Sequence, residues 1–148
     1  MNALGKSIAA ATMGTVALNL TTYGDMLVRG RAPSSLPSDL AGKMAEKAGL
    51  TTLDDNRKSA VGALLGYADG IGVGAAYGLL RSVVPIPWLF GGLALAAAAM
   101  VASDVPAVRF GLTDPKTWST ASWISDIVPH AVYGLTTALA LESLLADA

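Results

Sequence analysis

Five glycines recur every four residues in one apolar segment: Gly62, Gly66, Gly70, Gly74 and Gly78. On an α-helix, residues four apart lie one above the other on nearly the same face, so this spacing predicts a groove without side chains. An interior glycine costs a helix in water roughly 0.5–1 kcal/mol relative to alanine. In a bilayer, close backbone contact along small residues holds helices together. The repeat therefore predicts a membrane helix that packs through these five glycines.

The amino-acid composition favours the same class of protein. Hydrophobic residues make up 53% of the chain and charged residues 14%, against about 45–50% and about 25% in soluble domains. A length of 148 residues corresponds to one domain, so we expect a single polytopic membrane domain over residues 1–148. The chain has no cysteine, which excludes thiolate chemistry, and its net charge of −1 argues against a nucleic-acid partner.

The hydropathy pattern predicts an all-α membrane protein with four transmembrane helices in two hairpins. A short amphipathic helix is expected on the cytoplasmic surface between the first two spans. The N-terminal segment, with Lys6 before an apolar run, is similar to a signal peptide, but polar Asn19 lies within that run and favours an uncleaved helix. The predicted spans cover about residues 4–23, 59–80, 88–103 and 124–145, and the surface helix covers about residues 39–48.

Turn-forming residues set the predicted ends of the later helices. Asp104 and Pro106 are expected to end the third span at the water boundary. An Asp-Pro pair at residues 114–115 predicts a further short helix that lies along the interface and carries Trp118 and Trp123. The predicted third span is therefore short, and Asp104 is interpreted as a helix-end residue.

The basic residues are divided unequally between the two sides of the predicted membrane. Eight of the ten Lys and Arg residues lie in the loops at 24–58 and 104–123, whereas the other side has only Lys6 and Arg81. By the positive-inside rule, both loops are expected to be cytoplasmic and both termini to face outward.

A short motif occurs at matching depth in the second and fourth spans. Residues 75–79 and 131–135 both read Ala-x-Tyr-Gly-Leu, and an aspartate precedes each copy by several residues. Two hairpins related by an axis along the membrane normal would produce this pattern, so it supports the two-hairpin arrangement.

Ionisable residues inside the predicted spans are the candidates for a functional site, because such residues are costly in lipid. Asp126 and His130 are four residues apart and so adjacent on one face of the fourth span. Pro129 is expected to interrupt that helix and to free the carbonyl of Ser125 beside them. The pair could relay protons or bind ions, it could be structural, or His130 could be an axial ligand of a haem or another porphyrin.

Three further residues extend the candidate proton, ion or ligand site. Asp69 lies beside the glycine groove, where it is either a proton- or cation-binding carboxylate or a hydrogen-bonded structural group. Tyr77 and Tyr133 belong to the repeated motif and could line an internal polar seam. No catalytic residue and no metal site is predicted apart from His130 as a possible haem ligand.

The layout of the chain is similar to that of a known group of proteins. A Pro/Ser-rich loop at residues 31–37 is followed by a glycine-zipper helix ending in Tyr-Gly-Leu-Leu-Arg at 77–81, and a His-x-x-Tyr-Gly motif occurs at 130–134. In these features the chain resembles small uncharacterised bacterial inner-membrane proteins of the YagU-like kind. The resemblance implies a bacterial cytoplasmic membrane and assigns no catalytic residue.

Three functions are compatible with these features. The first is a structural or accessory membrane subunit that packs through the glycine-zipper helix with itself or with a larger membrane complex. The second is a proton- or small-solute-translocating protein that uses the intramembrane Asp and His residues. The third is a pigment- or haem-binding subunit. No hydrolase or nucleotide-binding motif is visible, so no enzymatic activity is expected, and bound lipid is the only other small-molecule partner expected.

Overall fold

The structure is a computed structural model that describes residues 1–50 and 53–146. Over those residues the chain forms helices and no strands. The helices are α1 (Ala3–Arg29), α2 (Leu36–Lys47), α3 (Asp55–Arg81), α4 (Trp88–Arg109) and α5 (Thr120–Ala146), with a 3-10 turn at Pro115–Thr117.

The four long helices form an antiparallel bundle. Helix α1 packs against α3 and α5, and α4 packs against the same two helices from the opposite side, so that α3 and α5 touch at only a few positions. The core is centred on Leu95, Ala99 and Tyr133, which are at most 2% exposed. Helix α2 crosses the outside of α3 and buries Ala41 and Ala45 there. The bundle therefore has one end near α2 and an opposite end where α1 begins and α5 ends.

Three of the long helices, α3, α4 and α5, are long and apolar enough to cross a membrane. This agrees with an all-α membrane protein but not with the predicted number of four transmembrane helices. Helix α1 has 27 residues, which is sufficient length, but it is not among the three. Lys6 and Asn19 lower its hydropathy, as do its several glycines and threonines.

The helices are longer than the predicted spans. Helix α1 continues past residue 23 to Arg29, and α4 continues past residue 103 to Arg109 with Pro106 inside it. A proline removes only its own N–H from the helical ladder, and the Pro106 carbonyl still accepts from the Phe110 N–H at 3.0 Å. The prediction that Asp104 and Pro106 end the helix is therefore wrong.

The connection between α4 and α5 also differs from the prediction. Asp114 accepts a hydrogen bond from the Lys116 N–H at 3.0 Å, but only a 3-10 turn follows it. Trp123 belongs to α5, which begins at Thr120 and continues without a break through Pro129. The Trp118 and Trp123 rings still lie together, with their centroids 4.8 Å apart. The predicted separate interfacial helix is therefore absent from residues 110–120.

Helix α2 begins three residues earlier than predicted. Ser38, which precedes the predicted start, lies inside the helix and donates to the Ser35 carbonyl at 2.7 Å. The C-terminal end is close to the prediction, because the helix ends at Lys47 and Gly49 adopts a left-handed φ of +70° just after Ala48. Glycine tolerates that conformation without steric cost, so Gly49 suits the turn that follows the helix.

Candidate functional site

Three glycines of the predicted groove contact α1 directly. A Cβ added to Gly70 would lie 2.5 Å from Thr15 Oγ1, and one added to Gly74 would lie 2.5 Å from the Ala11 Cβ. A Cβ on Gly78 would collide with the Ser7 side chain. These distances are too short for any real Cβ, so α1 and α3 approach this closely only because the three positions are glycines.

The other two glycines of the groove behave differently from each other. A Cβ on Gly62 would lie 2.6 Å from the Pro37 backbone at the start of α2, whereas one on Gly66 would meet nothing within 4 Å. The expectation that all five glycines form one continuous contact is therefore wrong at Gly66 within this chain. The C-terminal half of α3 packs against α1 and its N-terminal end packs against α2. Gly66 lies between these two contacts.

A second close approach, between α4 and α5, was missed by the sequence analysis. A Cβ on Gly134 would collide with the Gly92 carbonyl, and one on Gly92 would lie 3.1 Å from the Leu135 Cα. The adjacent glycines 91 and 92 indicate that another helix could approach α4 closely. Because they do not form a four-residue repeat, they do not indicate which helix that is. Small residues therefore join both hairpins internally.

Asp126 and His130 meet on α5 as their spacing predicted. The His130 Nδ1 lies 2.8 Å from the Asp126 carbonyl oxygen and 3.3 Å from Asp126 Oδ1. Both side chains are mostly buried, with 14% of His130 and 18% of Asp126 exposed. The second carboxyl oxygen of Asp126 is fully buried and has no hydrogen-bond partner among the described residues. A histidine and a carboxylate with one unpartnered oxygen thus lie side by side on α5.

One further aspartate, from another helix, joins this pair. Asp104 on α4 lies beside the Asp126 side chain. The carboxylate–histidine cluster, defined as Asp104, Asp126 and His130, therefore draws on two helices. Asp69 on α3, the third predicted ionisable residue, is half-buried and lies outside this cluster. Asp104 was interpreted as a helix-end residue because Pro106 follows it, whereas α4 continues to Arg109 and places Asp104 beside Asp126 of α5.

The two tyrosines of the repeated motif do not lie at the same place. Tyr133 is fully buried and crosses the bundle to donate a hydrogen bond of 2.6 Å to the Gly70 carbonyl. Tyr77 packs against the core on the other side, with its hydroxyl buried against Gly91 and unpartnered among the described residues. The predicted polar seam therefore does not unite the two tyrosines, and Tyr77 lies nearer the opposite end of the bundle.

That opposite end carries polar contacts the sequence analysis did not predict. Arg81 makes a two-pronged ion pair with Glu142, at 2.8 and 3.2 Å, which joins α3 to α5. Lys6 is buried and donates to the Leu144 carbonyl in the last turn of α5, at 2.6 Å. A cation at a helix C-terminus complements the helix dipole. Both contacts pair residues far apart in the sequence, and their spacing gives no signal.

The end of α1 nearest the cluster is held by a second set of charges. Asp25 accepts from Arg29 and from Arg31, each at 2.5 Å, and Arg29 also donates to the Ser125 hydroxyl on α5. The hydrogen bonds from Arg29 and Arg31 lower the pKa of Asp25 from 3.8 to about 2. Asp25 is therefore charged at neutral pH. The network joins the end of α1 to Ser125, the residue that precedes Asp126 in α5.

In the part of the chain that the structure describes, no group of three or more His, Asp or Glu side chains is placed to hold a metal ion. Comparison with protein-family models, with curated proteins and with solved structures found no match to this chain.

Proposed function

We propose that this protein is a four-span membrane protein that binds and transfers protons through the carboxylate–histidine cluster. The observation that carries the proposal is the convergence of Asp104, Asp126 and His130 inside the bundle, with Asp126 Oδ2 buried and unpartnered among the described residues. Ionisable groups at membrane depth are costly and commonly serve proton relays. Two neighbouring carboxyls and an imidazole can hold a variable number of protons between them.

The packing of α1 supports its inclusion as a fourth span. Lys6 near its start contacts Leu144 at the end of α5, and Arg29 at its end contacts Ser125 near the start of α5. Helix α1 therefore runs along the whole length of a candidate span. The side chains that α1 turns away from the bundle are largely apolar and exposed, including Ile8, Leu20 and Leu27. Lipid is the environment that suits such a face.

Proton flux in proteoliposomes tests the proposal. The purified protein would be reconstituted with a pH-sensitive dye inside the vesicles, and a potassium gradient with valinomycin would supply the driving voltage. We expect Asp126→Asn to lower the flux by at least about tenfold, because loss of a proton-transferring group typically costs that much or more. His130→Ala and Asp104→Asn should each lower the flux as well.

The matched control is Asp39→Asn, because Asp39 is exposed on α2 and does not belong to the cluster. It should leave the flux unchanged. Flux that is equal in Asp126→Asn, His130→Ala and the unmodified protein would exclude the cluster from proton transfer. An unmodified protein without flux above that of empty vesicles would exclude the function itself.

A role as a structural or accessory subunit is a second candidate. The outer face of α3 carries Ala68, Gly72 and Ala76 at a spacing of four, and all three are exposed. A Cβ on Gly72 would meet nothing within 4 Å, so a helix of a second copy or of a larger complex could approach closely there. Gly72→Leu should then dissociate an oligomer in mild detergent, and a stable monomer before substitution would argue against this role.

The remaining predictions gain less support from the structure. Haem binding would use the Nε2 of His130, because its Nδ1 is engaged by Asp126, and an absorbance spectrum of the purified protein tests it. Bound lipid, a bacterial inner membrane and the YagU-like resemblance stay predictions. The outward termini and cytoplasmic loops stay predictions that depend on the distribution of basic residues.

A further inference from the structure

A cleft of about 330 Å³ opens at the end of the bundle that carries α2. Its walls are α2, the start of α3 and the connections that follow α2 and α4. Its charged lining consists of Asp39, Lys43 and Glu46 from α2 and Lys58 from α3, and its apolar lining includes Leu53 and Leu112. This volume is at the lower end of the range for small-molecule sites. The cleft therefore suits a small charged group that continues into an apolar one.

Lys58 reaches the cleft across a glycine of the neighbouring helix. A Cβ added to Gly42 would lie 3.3 Å from Lys58 Cε and 3.4 Å from Lys58 Cδ, so the aliphatic stem of Lys58 lies against α2 at this position. The Lys58 ammonium is 3.3 Å from Asp55, whose side chain is 99% exposed. Ion pairs of exposed side chains contribute little, so this contact leaves the Lys58 ammonium available to a ligand.

Lys43 brings a second ammonium group to the cleft together with a carboxylate. The Lys43 Nζ lies 3.0 Å from Glu46 Oε2, and both side chains are exposed. Two ammonium groups from two helices suit a phosphate. A purely anionic ligand would be repelled by Glu46, so the ligand that fits carries a positive group close to its phosphate. Asp39 forms no ion pair with either lysine.

The position of the cleft along the helices indicates where such a ligand comes from. Helix α3 has 27 residues and is about 40 Å long, whereas the hydrocarbon core of a bilayer is roughly 30 Å thick. Lys58 lies in the first turn of α3, and Leu112 follows the end of α4 at Arg109. Because α3 and α4 are apolar enough to cross a membrane, the cleft lies at the level of the lipid headgroups.

We propose that this cleft binds the headgroup of a zwitterionic phospholipid that has a primary ammonium group, as phosphatidylethanolamine does. Lys43 and Lys58 contact the phosphate, and the lipid ammonium donates to Glu46. Leu53 and Leu112 contact the glycerol and the first methylene groups of the acyl chains. The site depends on α3 and α4 crossing the membrane and does not depend on proton transfer.

Native mass spectrometry in mild detergent tests the choice of lipid. The purified protein would be incubated with equal amounts of phosphatidylethanolamine, phosphatidylcholine and phosphatidylglycerol that carry the same acyl chains. The choline lipid keeps both charges but has no ammonium N–H, and the glycerol lipid has no positive charge. We expect the ethanolamine lipid to be retained about fivefold more than the glycerol lipid, which is the upper range for one exposed ion pair. Retention of the choline lipid should lie between them.

Four exposed or half-buried residues provide the variants and their matched controls. Lys58→Gln should lower the retention of all three lipids about fivefold, because it removes a phosphate contact. Glu46→Gln should remove the preference for the ethanolamine lipid over the glycerol lipid. Lys116→Gln, outside the cleft, and Asp39→Asn, on its wall but without an ion pair to either lysine, should leave retention unchanged.

Three outcomes would overturn the site. The first is equal retention of the ethanolamine and glycerol lipids by the unmodified protein. The second is a loss in Lys116→Gln as large as that in Lys58→Gln, which would indicate non-specific attraction to surface charge. The third is displacement of the lipid by an equal concentration of soluble glycerophosphoethanolamine, which would mean that the cleft takes a soluble compound. A protein that retains the ethanolamine lipid but shows no proton flux would support the site and overturn only the proposed function.

Discussion

At the scale of single residues, the glycines of α3 have two different kinds of surroundings. A Cβ on Gly70 would lie 2.5 Å from the Thr15 hydroxyl oxygen, whereas one on Gly72 would meet nothing within 4 Å. Glycines 14, 78 and 91 likewise face the side chains of Thr137, Ser7 and Tyr77. Four of the eight buried glycines among the described residues therefore face a hydroxyl-bearing side chain, which occupies the space that a Cβ would take.

This contrast predicts unequal effects of the same substitution. Gly70→Leu should destabilise the fold by roughly 1–3 kcal/mol, because an extra side chain forces α1 away from α3. Gly72→Leu should not destabilise the monomer, because the helix loses a glycine and no neighbour is displaced. Unfolding in mixed detergent micelles measures both variants. Equal losses of stability would mean that the contact at Gly70 is unimportant.

The charge network at the end of α1 predicts a dependence on acid. The pKa of Asp25 falls from 3.8 to about 2 through the hydrogen bonds from Arg29 and Arg31, so the folded state favours the charged carboxylate. Its stabilising contribution is complete above about pH 4 and is lost as the pH falls toward 2. Thermal unfolding should therefore show Asp25→Asn to be less stable than the unmodified protein at pH 6 but nearly equal to it at pH 2.

The control for this prediction is Asp39→Asn. Asp39 forms no ion pair within the described residues, so its substitution should shift the melting temperature little at either pH. A difference between Asp25→Asn and the unmodified protein that is the same at pH 2 and pH 6 would show that the carboxylate charge is not what stabilises α1.

At the scale of elements, α3 packs against two different helices along one face. Its C-terminal half packs against α1 through Gly70, Gly74 and Gly78, and its N-terminal half packs against α2 through Gly62. Gly66 lies between the two contacts and touches neither. The four-residue period therefore describes the face of α3 correctly, but the face is covered by two elements with an open interval between them.

This arrangement predicts opposite effects for two alanine substitutions one turn apart. Gly66→Ala should stabilise the protein by roughly 0.5–1 kcal/mol, because alanine lowers the entropic cost of the helix and meets no neighbour. Gly62→Ala should destabilise it, because the new Cβ would lie 2.6 Å from the Pro37 backbone and push α2 off the bundle. Detergent unfolding measures both, and a loss of stability in Gly66→Ala would reveal a partner at that position.

The sequence was most informative where one helix carries the whole signal. The proximity of Asp126 and His130 followed from their spacing, and the packing of Gly70 and Gly74 followed from the repeat. The sequence failed where two helices must be docked before the feature exists, as with Arg81 and Glu142. It also failed at Asp104. Pro106 was expected to end the helix, but α4 continues past this proline and packs on α5.

At the scale of the whole molecule, the bundle has two chemically different ends. One end carries the carboxylate–histidine cluster, the network around Asp25 and helix α2, and eight of the ten basic residues lie toward it. The other end carries Lys6 and the Arg81–Glu142 pair. The proposed four-span protein has these two ends on opposite sides of a membrane, which requires α1 to cross it together with α3, α4 and α5.

The crossing of α1 can be tested by cysteine labelling, because the chain has no cysteine of its own. Single cysteines would replace the exposed residues Ala3 and Ser34, which flank α1. If α1 spans the membrane, a membrane-impermeant maleimide should label these two positions from opposite sides, with position 34 reached from the cytoplasm. Intact spheroplasts and inverted vesicles provide the two sides.

Two further cysteines calibrate the labelling experiment. Val83 lies in the exposed connection between α3 and α4, so Val83→Cys should label from the same side as Ala3→Cys. Ser119 lies just before α5 at the other end, so Ser119→Cys should label together with Ser34→Cys. Labelling of Ala3→Cys and Ser34→Cys from one side would mean that α1 does not cross. The bundle would then enter the membrane with three spans, and the proposed four-span arrangement would be overturned.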